Sequence, residues 1–338
     1  MECKLSVIFI TYNHEEYVEK ALMSVMSQQT DFPYEVIVGD DCSSDSTSDI
    51  VRRIAAKYPK PEVIEQNSKW IRLNIREVNS KRPTLNVYDT TMLCEGEYLA
   101  YLEGDDYWTD RHKLQKQVDF LDNHSEYVAV THKMIMVDEH DEEITDPEIL
   151  KIGELYDWSG LYTYADFCVS DRWPGHYASV VSRNIYKNDK FDYTILYRAH
   201  DFVDDAVLLL FLLMQGDIYR LDEYMSVWRY VKKSGGSNWN SLAMKRNMQR
   251  ENCYLTKTLM KWMEENKGLT DNGPKRCRDN FALALSMYIK KPNADNKKFL
   301  KDMYDYCITH VVLHDKKSTL IGYSIKTIAD RLLSKLRS

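Results

Sequence analysis

The chain has 338 residues, of which 44% are hydrophobic and 29% are charged, a composition typical of a globular protein with a sizeable core. Its net charge of −7 argues against general nucleic-acid binding, which requires a basic face. The seven cysteines are scattered without a CxxC pair, which is typical of reduced thiols and not of a disulfide framework or a zinc site. No signal-peptide pattern opens the sequence and no apolar run is long enough to cross a bilayer, so we expect a soluble, cytoplasmic protein.

The first hundred residues alternate between short β-rich runs and segments in which apolar residues recur at helical spacing. Strands are predicted at 5–10, 35–39 and 98–102, with a further short strand at 63–65. Asn13 is placed to cap the helix that follows the first strand. Strands and helices that alternate in this way predict βαβ units and a mostly parallel sheet of the α/β class.

The pattern is looser after residue 110. A helix is predicted around 114–121, a strand at 127–131, an acidic hairpin tip at 138–143 and a buried helix at 206–214. From about residue 241 the sequence is typical of several helices without chemical motifs.

This pattern predicts one catalytic domain followed by a helical extension. The domain is expected over 1–240, with a nucleotide-binding half at 1–110 and an acceptor half at 111–240. The mostly helical extension is expected over 241–338.

Polar clusters follow three of the predicted strands. They are Thr11-Tyr12-Asn13, Asp40-Asp41 and the segment 103–106. Ligands of open parallel sheets bind beyond the carboxyl ends of the strands. We therefore expect the three clusters to converge on one crevice.

Glu103, Asp105 and Asp106 place three carboxylates within four residues. Such crowding costs electrostatic free energy unless a cation lies between the groups. Mg²⁺ or Mn²⁺ prefers oxygen ligands from carboxylates and substrate phosphates, so a metal-bound diphosphate fits this segment. Helix capping is the ordinary explanation for a single Asp after a strand, and it weakens for the three together.

Asp40 and Asp41 have two explanations. Asp-rich turns are common before a helix capped by Ser or Thr. Alternatively, a carboxylate at the end of a strand accepts hydrogen bonds from a nucleobase or ribose. The sequence lacks both GxGxxG after its first strand and GxxxxGK[ST], so a bound nucleotide would need a metal to carry its phosphate charge.

Three segments, in this order and spacing, resemble family-2 glycosyltransferases of the GT-A fold. They are LSVIFITYN at 5–13, VIVGDDCSSDST at 36–47 and GEYLAYLEGDDYW at 96–108. The resemblance is strong over 4–130, weaker to about 240, and absent from the last hundred residues. It implies a nucleotide-diphosphate-sugar donor (a UDP-sugar is favoured), a Mn²⁺ or Mg²⁺ cofactor, and inversion at the anomeric carbon.

The resemblance also implies roles for individual residues. Donor contacts are implied for Thr11, Tyr12, Asn13, Asp40, Asp41, Asp105, Trp108 and Arg229. Asp106 is implied as the metal ligand, and Glu103 and Asp105 are further candidates. The family often has Asp where this chain has Glu103, so the role of that longer carboxylate stays open. Core packing is the alternative for Trp108.

An inverting transferase needs a general base that takes the proton of the acceptor hydroxyl. The family places an acidic residue at the start of a helix in its second half, which here corresponds to the segment 200–205. The spacing to the later segment 225–229 favours Asp205, with Asp204 as the alternate and Asp201 less favoured. Capping of the helix is the alternative explanation for these acidic residues.

Other features are assigned to the acceptor side and to the end of the chain. Trp173 and His176 are candidate acceptor contacts, and Lys232 and Lys233 stand where relatives commonly have a His. An apolar stripe beside basic residues at 325–337 either packs on the enzyme or makes a peripheral contact with an anionic membrane, which would suit a lipid-linked acceptor.

The sequence thus predicts a metal-dependent inverting glycosyltransferase that transfers a monosaccharide to a saccharide or lipid-linked acceptor in bacterial surface-polysaccharide synthesis. A sugar nucleotidyltransferase is one alternative, although it would need a glycine-rich, basic phosphate loop after the first strand. The other alternative is a non-catalytic relative that binds a saccharide or a partner protein.

Overall fold

The computed structural model describes residues 2–170, 172–187, 191–203, 205–231, 246–267 and 274–311. The chain divides into two compact units. The first comprises residues 1–163 and 172–245, and the second comprises residues 164–171 and 246–338.

The first unit is built on a mixed sheet with nine described strands. These are β1 (Leu5–Thr11), β2 (Tyr34–Asp40), β3 (Lys69–Ile75), β4 (Tyr98–Glu103), β5 (Tyr107–Trp108), β6 (Tyr127–Val137), β7 (Gly160–Tyr162), β8 (Val181–Arg183) and β9 (Asp217–Arg229). The strand order is β3-β2-β1-β4-β8-β6-β9-β5, and β7 pairs with β9. β1 to β4 are mutually parallel where they pair, as are β6 and β9, whereas β5, β7 and β8 run antiparallel to their neighbours.

The described helices follow the strands in a regular alternation at the start of the chain. They are α1 (Val18–Met26), α2 (Thr47–Ala55), α3 (Pro83–Met92), α4 (Lys113–Asn123), α5 (Pro147–Glu154), α6 (Tyr164–Val169), α7 (Ile195–Arg198), α8 (Asp205–Leu213), α9 (Met248–Lys267), α10 (Pro274–Lys290) and α11 (Ala294–Val311). Short 3₁₀ turns lie at Tyr177–Ser179 and Ile185–Lys187.

The central strands are buried on both faces, which explains their continuous apolar sequence. All seven residues of β2 are buried, and so are the first five residues of β1 and of β4. This is the pattern of a parallel sheet covered by helices on both sides. The predicted α/β fold with a mostly parallel sheet is therefore confirmed.

Two local predictions are wrong. The third strand lies at Lys69–Ile75 and not at 63–65, where Val63 is 74% exposed in a loop. Asn13 does not cap α1, because the helix begins at Val18 with Tyr17 at its N-cap position. Asn13 instead adopts a left-handed backbone conformation with φ of 53°.

The second unit is helical in its described part, which confirms the expected helical C-terminal region. Its core contains Leu259 and Met263 of α9, Phe281 of α10 and Phe299 of α11. The domain boundary near residue 240 stays a prediction, because residues 232–245 lie outside the described ranges.

None of the helices in the described ranges combines the length and the apolar character needed to cross a membrane. The stripe at 325–337, predicted as a membrane contact, falls outside the described residues.

The sheet brings together the ends of three strands that carry polar clusters. β1 lies between β2 and β4, with Thr11 paired with Asp40 and Ile10 paired with Glu103. The side chains that follow these strands therefore share one edge of the sheet, as the sequence predicted.

Candidate active site

The loops after β1 and β2 are hydrogen-bonded to each other. The backbone N–H of Asn13 donates to Ser43 Oγ at 2.9 Å, and the N–H of Ser44 donates to Asn13 Oδ1 at 2.8 Å. The N–H of Asp41 donates to the carbonyl of Thr11 at 3.2 Å. Thr11 and Asn13 thus hold the two loops together at the edge of the sheet, and the half-buried Tyr12 lies between them in the chain.

Asp40 and Asp41 lie where β2 ends, and both carboxylates accept hydrogen bonds from neighbouring serine residues. Asp40 is fully buried and accepts hydrogen bonds from the hydroxyls of Ser43 and Ser48. Asp41 accepts from the N–H of Ser80 at 3.0 Å and from its hydroxyl at 2.7 Å, and burial raises the pKa of Asp41. Their observed role is to hold the loops, and a contact with the donor base stays a prediction.

Asp105 faces the loop after β1. Its Oδ2 lies 3.8 Å from His14 Nε2, and His14 Nδ1 lies 3.3 Å from Thr11 Oγ1. Gly104 makes this approach possible, because a Cβ there would lie 2.6 Å from Thr11 Oγ1 and 2.8 Å from His14 Nδ1. His14 is a site residue that sequence reasoning missed, since an isolated His carries no pattern.

Asp106 is 1% exposed and its two carboxylate oxygens differ. Oδ1 accepts a hydrogen bond from the backbone N–H of Arg229 at 2.8 Å. Oδ2 is buried without a hydrogen-bond partner in the described structure, and it lies 3.6 Å from His176 Nδ1. Burial, reinforced by the neighbouring Asp105, raises the pKa of Asp106 well above its ordinary value. An unsatisfied buried oxygen of this kind is costly and indicates a missing partner.

The residues around that oxygen fit a divalent cation. Glu103, Asp106 and His176 each offer one ligand atom, and these atoms lie within 4.8 Å of one another. His176 Nδ1 accepts a hydrogen bond from the N–H of Ala178 at 3.4 Å, so this nitrogen carries no proton, and a metal bound at Nδ1 would replace that hydrogen bond. Burial and the charge of Arg220 lower the pKa of His176 to about 3, which keeps the imidazole neutral. Carboxylate oxygens together with an imidazole nitrogen suit Mn²⁺ better than Mg²⁺, which prefers oxygen ligands.

His176 lies beside the Asp106 carboxylate, at the start of the turn Tyr177–Ser179. This turn leads into β8, which pairs with β4 and so brings His176 to the sheet edge. The spacing of residues in the sequence does not reveal that His176 lies next to Asp106, because strand pairing brings the two residues together. The predicted acceptor contact of His176 stays a prediction.

Arg229 is buried and bonded to the segments on either side of it. Its side chain is 1% exposed, and its guanidinium donates to the carbonyls of Asp105 and Asp138 at 2.9 Å each. It also donates to the Asp141 carboxylate at 2.5 Å and lies 4.4 Å from the centre of the Tyr17 ring. These contacts use three of its five N–H groups, and a contact between Arg229 and the nucleotide-sugar donor stays a prediction.

Trp108 belongs to the core and does not form a wall for the donor sugar. It is 4% exposed, and its Nε1 donates to the carbonyl of Ala178 at 2.9 Å. The ammonium of Lys113 lies 4.1 Å from the centre of its ring. The alternative of core packing is therefore the correct one for Trp108.

Trp173 lies in a segment that is tied to residues 155–158. Its N–H donates to the carbonyl of Leu155 at 2.9 Å, and its carbonyl accepts from Trp158 Nε1 at 3.0 Å. An acceptor contact for Trp173 stays a prediction.

Asp205 is the first residue of α8, and its Oδ1 accepts from the N–H of Ala206 at 2.6 Å. Burial raises the pKa of the Asp205 carboxyl, which favours proton uptake. The charge of Asp205 also contributes to the raised pKa of Tyr156, whose ring lies 6.4 Å from that of His176. Asp201 is exposed near His200, and Asp204, Lys232 and Lys233 lie outside the described residues.

Comparison with known proteins gives matches to glycosyltransferases. Residues 6–168 match the sequence model of the family described as Glycosyl transferase family 2. The uncharacterized protein Rv1520 of Mycobacterium tuberculosis is 39% identical over 135 residues, which are 39% of this chain and 36% of the relative. The putative glycosyltransferase EpsE of Bacillus subtilis is 34% identical over 136 residues, which are 40% of this chain and 45% of the relative.

A third relative is also represented among solved structures. The poly(ribitol-phosphate) beta-N-acetylglucosaminyltransferase TarS of Staphylococcus aureus is 35% identical over 124 residues, which are 36% of this chain and 19% of the relative. The matches therefore span less than half the length of each of these relatives.

The crystal structure of S. aureus TarS 1–349 in complex with UDP-GlcNAc superposes with a TM-score of 0.62 at 18% identity, covering 91% of this chain and 81% of that chain. At this identity the likeness concerns the fold. Residues 6–168, just under half of the chain, therefore match glycosyltransferase family 2, and the chain has the GT-A fold.

Proposed function

We propose that this protein is an inverting, metal-dependent glycosyltransferase. It transfers a monosaccharide from a UDP-sugar to a hydroxyl of a saccharide or lipid-linked acceptor in surface-polysaccharide synthesis. The family match of residues 6–168 supports glycosyl transfer. The neighbouring structures of TarS with UDP and with UDP-GlcNAc support the class of donor.

One observation carries the proposal. The buried, unpartnered Oδ2 of Asp106 lies beside His176 and Glu103 at the edge where β1, β2 and β4 end. A site of this composition at this edge suits a cation that accompanies a nucleoside diphosphate.

Asp106, His176 and Glu103 would hold the cation. When bound, it supplies positive charge that stabilises the departing diphosphate. Arg229 fixes the Asp105–Asp106 segment through the Asp106 carboxylate and the Asp105 carbonyl. These residues therefore set the position of the leaving group.

Asp205 is the proposed base. Its carboxyl is buried at the N-terminus of α8, and its pKa is raised, so it accepts a proton more readily than an exposed Asp. An acceptor hydroxyl directed at Asp205 loses its proton as it attacks the anomeric carbon. Attack from the side opposite the diphosphate inverts the configuration.

The donor and metal sites are tested by thermal unfolding. Tm is measured with UDP, UDP-GlcNAc or UDP-glucose, each in the presence of MnCl₂, MgCl₂ or a chelator. We expect the nucleotides to raise Tm only with metal, and Mn²⁺ to be more effective than Mg²⁺, because ligands stabilise the state that binds them. Asp106→Asn and His176→Gln should each weaken Mn²⁺ binding by at least about tenfold, measured by calorimetry.

Asp119→Asn is the matched control, since Asp119 is exposed on α4. A Tm shift that is the same with chelator, or one that Asp106→Asn leaves intact, contradicts the proposed site. The absence of any nucleotide effect would favour a non-catalytic relative.

A further inference from the structure

Four rings form a cluster at the end of β9. Trp228 is stacked on His176, with ring centroids 4.8 Å apart and an interplanar angle of 29°. Tyr156 and Tyr230 contact the indole edge-on, with centroids 6.0 Å and 5.8 Å away. His176 is buried, whereas Trp228 is only half-buried. Since His176 covers one face of the indole, its exposed surface lies on the opposite face and at its edge.

This half-exposed ring lies beside the candidate metal ligands. On one side, the His176 ring beneath it has its Nδ1 3.6 Å from Asp106 Oδ2. On the other side, the adjacent Tyr156 is close enough to Asp205 to be affected by its charge. A molecule that rests on Trp228 is therefore held next to the proposed metal ligands.

We propose that the exposed face of Trp228 is an acceptor subsite that binds the apolar C–H face of a pyranose ring. Aromatic rings pack well against flat apolar surfaces, while polar side chains around them orient the hydroxyls. The inference rests on the proposed function and specifies its acceptor.

The surrounding charge favours a neutral sugar over a phosphorylated open-chain polyol. Glu103, Asp106 and Asp205 are acidic, and an anionic acceptor group would be repelled by those that are ionised. An open-chain polyol also lacks a rigid flat face, and ordering it on the ring costs conformational entropy. The acceptor is therefore a cyclic sugar, either free or at the end of a glycan.

Saturation-transfer NMR tests the subsite without requiring turnover. The probes are the methyl pyranosides of glucose, galactose and N-acetylglucosamine, with ribitol 5-phosphate as the polyol, in the presence of UDP and MgCl₂. We expect at least one pyranoside to bind with saturation concentrated on the protons of one ring face. Trp228→Ala should weaken this binding by about tenfold, and Trp228→Phe should largely retain it, because a stacked ring contributes about that much.

Tyr224→Ala is the matched control, since Tyr224 is an exposed aromatic residue of the same strand. Circular dichroism melts check that each variant is folded. If Trp228→Ala does not fold, Trp228→Phe still tests the subsite. The inference is overturned if no pyranoside binds, if Trp228→Ala binds as well as the wild type, or if ribitol 5-phosphate binds at least as well as the pyranosides.

The same samples separate this inference from the proposed function. If pyranosides bind at Trp228 while nucleotides and metal have no effect on Tm, the subsite stands and the transferase proposal fails. If nucleotide and metal stabilise the protein but pyranosides do not bind, the transferase proposal stands and the subsite fails.

Discussion

Asp106 and His176 place two hydrogen-bond acceptors face to face in a buried position. Their atoms are 3.6 Å apart, and the imidazole nitrogen already accepts from the N–H of Ala178. Without a cation, the raised pKa of Asp106 allows a proton to relieve the repulsion. Metal binding should therefore release protons, because the metal competes with them for the same lone pairs.

The Asp205 carboxylate is expected to be essential for transfer and dispensable for donor binding. Asp205→Asn keeps a similar shape, and its amide oxygen can still accept from Ala206 N–H, but it cannot take a proton. We expect kcat to fall by about 10²- to 10⁴-fold. The Tm shift produced by UDP-sugar and Mn²⁺ should stay within about 1 °C of the wild-type shift.

Asp119→Asn is again the control for that measurement, because Asp119 is exposed on α4. Transfer that survives in Asp205→Asn would exclude Asp205 as the base.

At the scale of elements, β9 connects the acidic hairpin at 138–143 to the segment after β4. Arg229, at the end of β9, bonds the carbonyls of Asp105 and Asp138 and the carboxylate of Asp141. Lys20 of α1 also pairs with Asp141 at 2.9 Å. The hairpin is thus part of the support of the metal segment, although its sequence looks like an ordinary exposed turn.

Arg229→Lys should separate these elements, because a lysine cannot replace the planar set of guanidinium donors. We expect a loss of about 2 to 4 kcal/mol in the free energy of unfolding, since buried polar groups lose their partners. Urea denaturation measures this loss, and limited proteolysis should cut the variant faster within 138–143.

Arg53→Lys is the control, since Arg53 pairs with Glu19 on the exposed surface. Unchanged stability in Arg229→Lys would show that the hairpin does not support the site.

Among the strands at the start of the chain, prediction from sequence succeeded for those buried on both faces and failed for the edge strand β3. β1, β2 and β4 were predicted to within a few residues because continuous apolar runs are typical of such strands. β3 was missed because its sequence KWIRLNI mixes polar and apolar residues at the edge of the sheet. Its pairing with β2 places it in the sheet, and single-sequence patterns do not contain pairing.

At the scale of the whole molecule, two buried neutral histidines make stability depend on pH. Burial lowers the pKa of both His132 and His176, and the nearby charges of Lys113 and Arg220 lower it further for His132. A His whose pKa is lower in the folded state contributes stability above its unfolded pKa, and this stability is lost as pH falls below that value. The unfolded pKa is about 6.5.

We therefore expect the metal-free protein to lose up to ~1.4 kcal/mol of unfolding free energy per pH unit for each of these histidines below pH ~6.5. Urea denaturation between pH 7.5 and 5 in the presence of chelator measures the slope. His132→Gln should flatten it, whereas His140→Gln, at an exposed position, should leave it unchanged. An equal slope in the wild type and His132→Gln would show that His132 is not buried in its neutral form.

The site as a whole was predictable only in part. The convergence of the three polar clusters followed from general rules for parallel sheets, and Asp106 was correctly placed at that edge. The neighbourhood of His176 and the buried position of Arg229 depend on how β8 and β9 join the sheet. Those pairings bring together residues far apart in sequence, and no local pattern records them.

The hydrogen bond from Arg229 N–H to Asp106 Oδ1 joins residues 123 positions apart. During synthesis, β1, β2 and β4 can pair long before β9 has left the ribosome, because a chain emerges from its N-terminus. The Asp106 carboxylate then stays without its backbone donor until β9 docks beside β6. The Asp106 carboxylate is therefore fixed in place late in folding, only after β9 has joined the sheet.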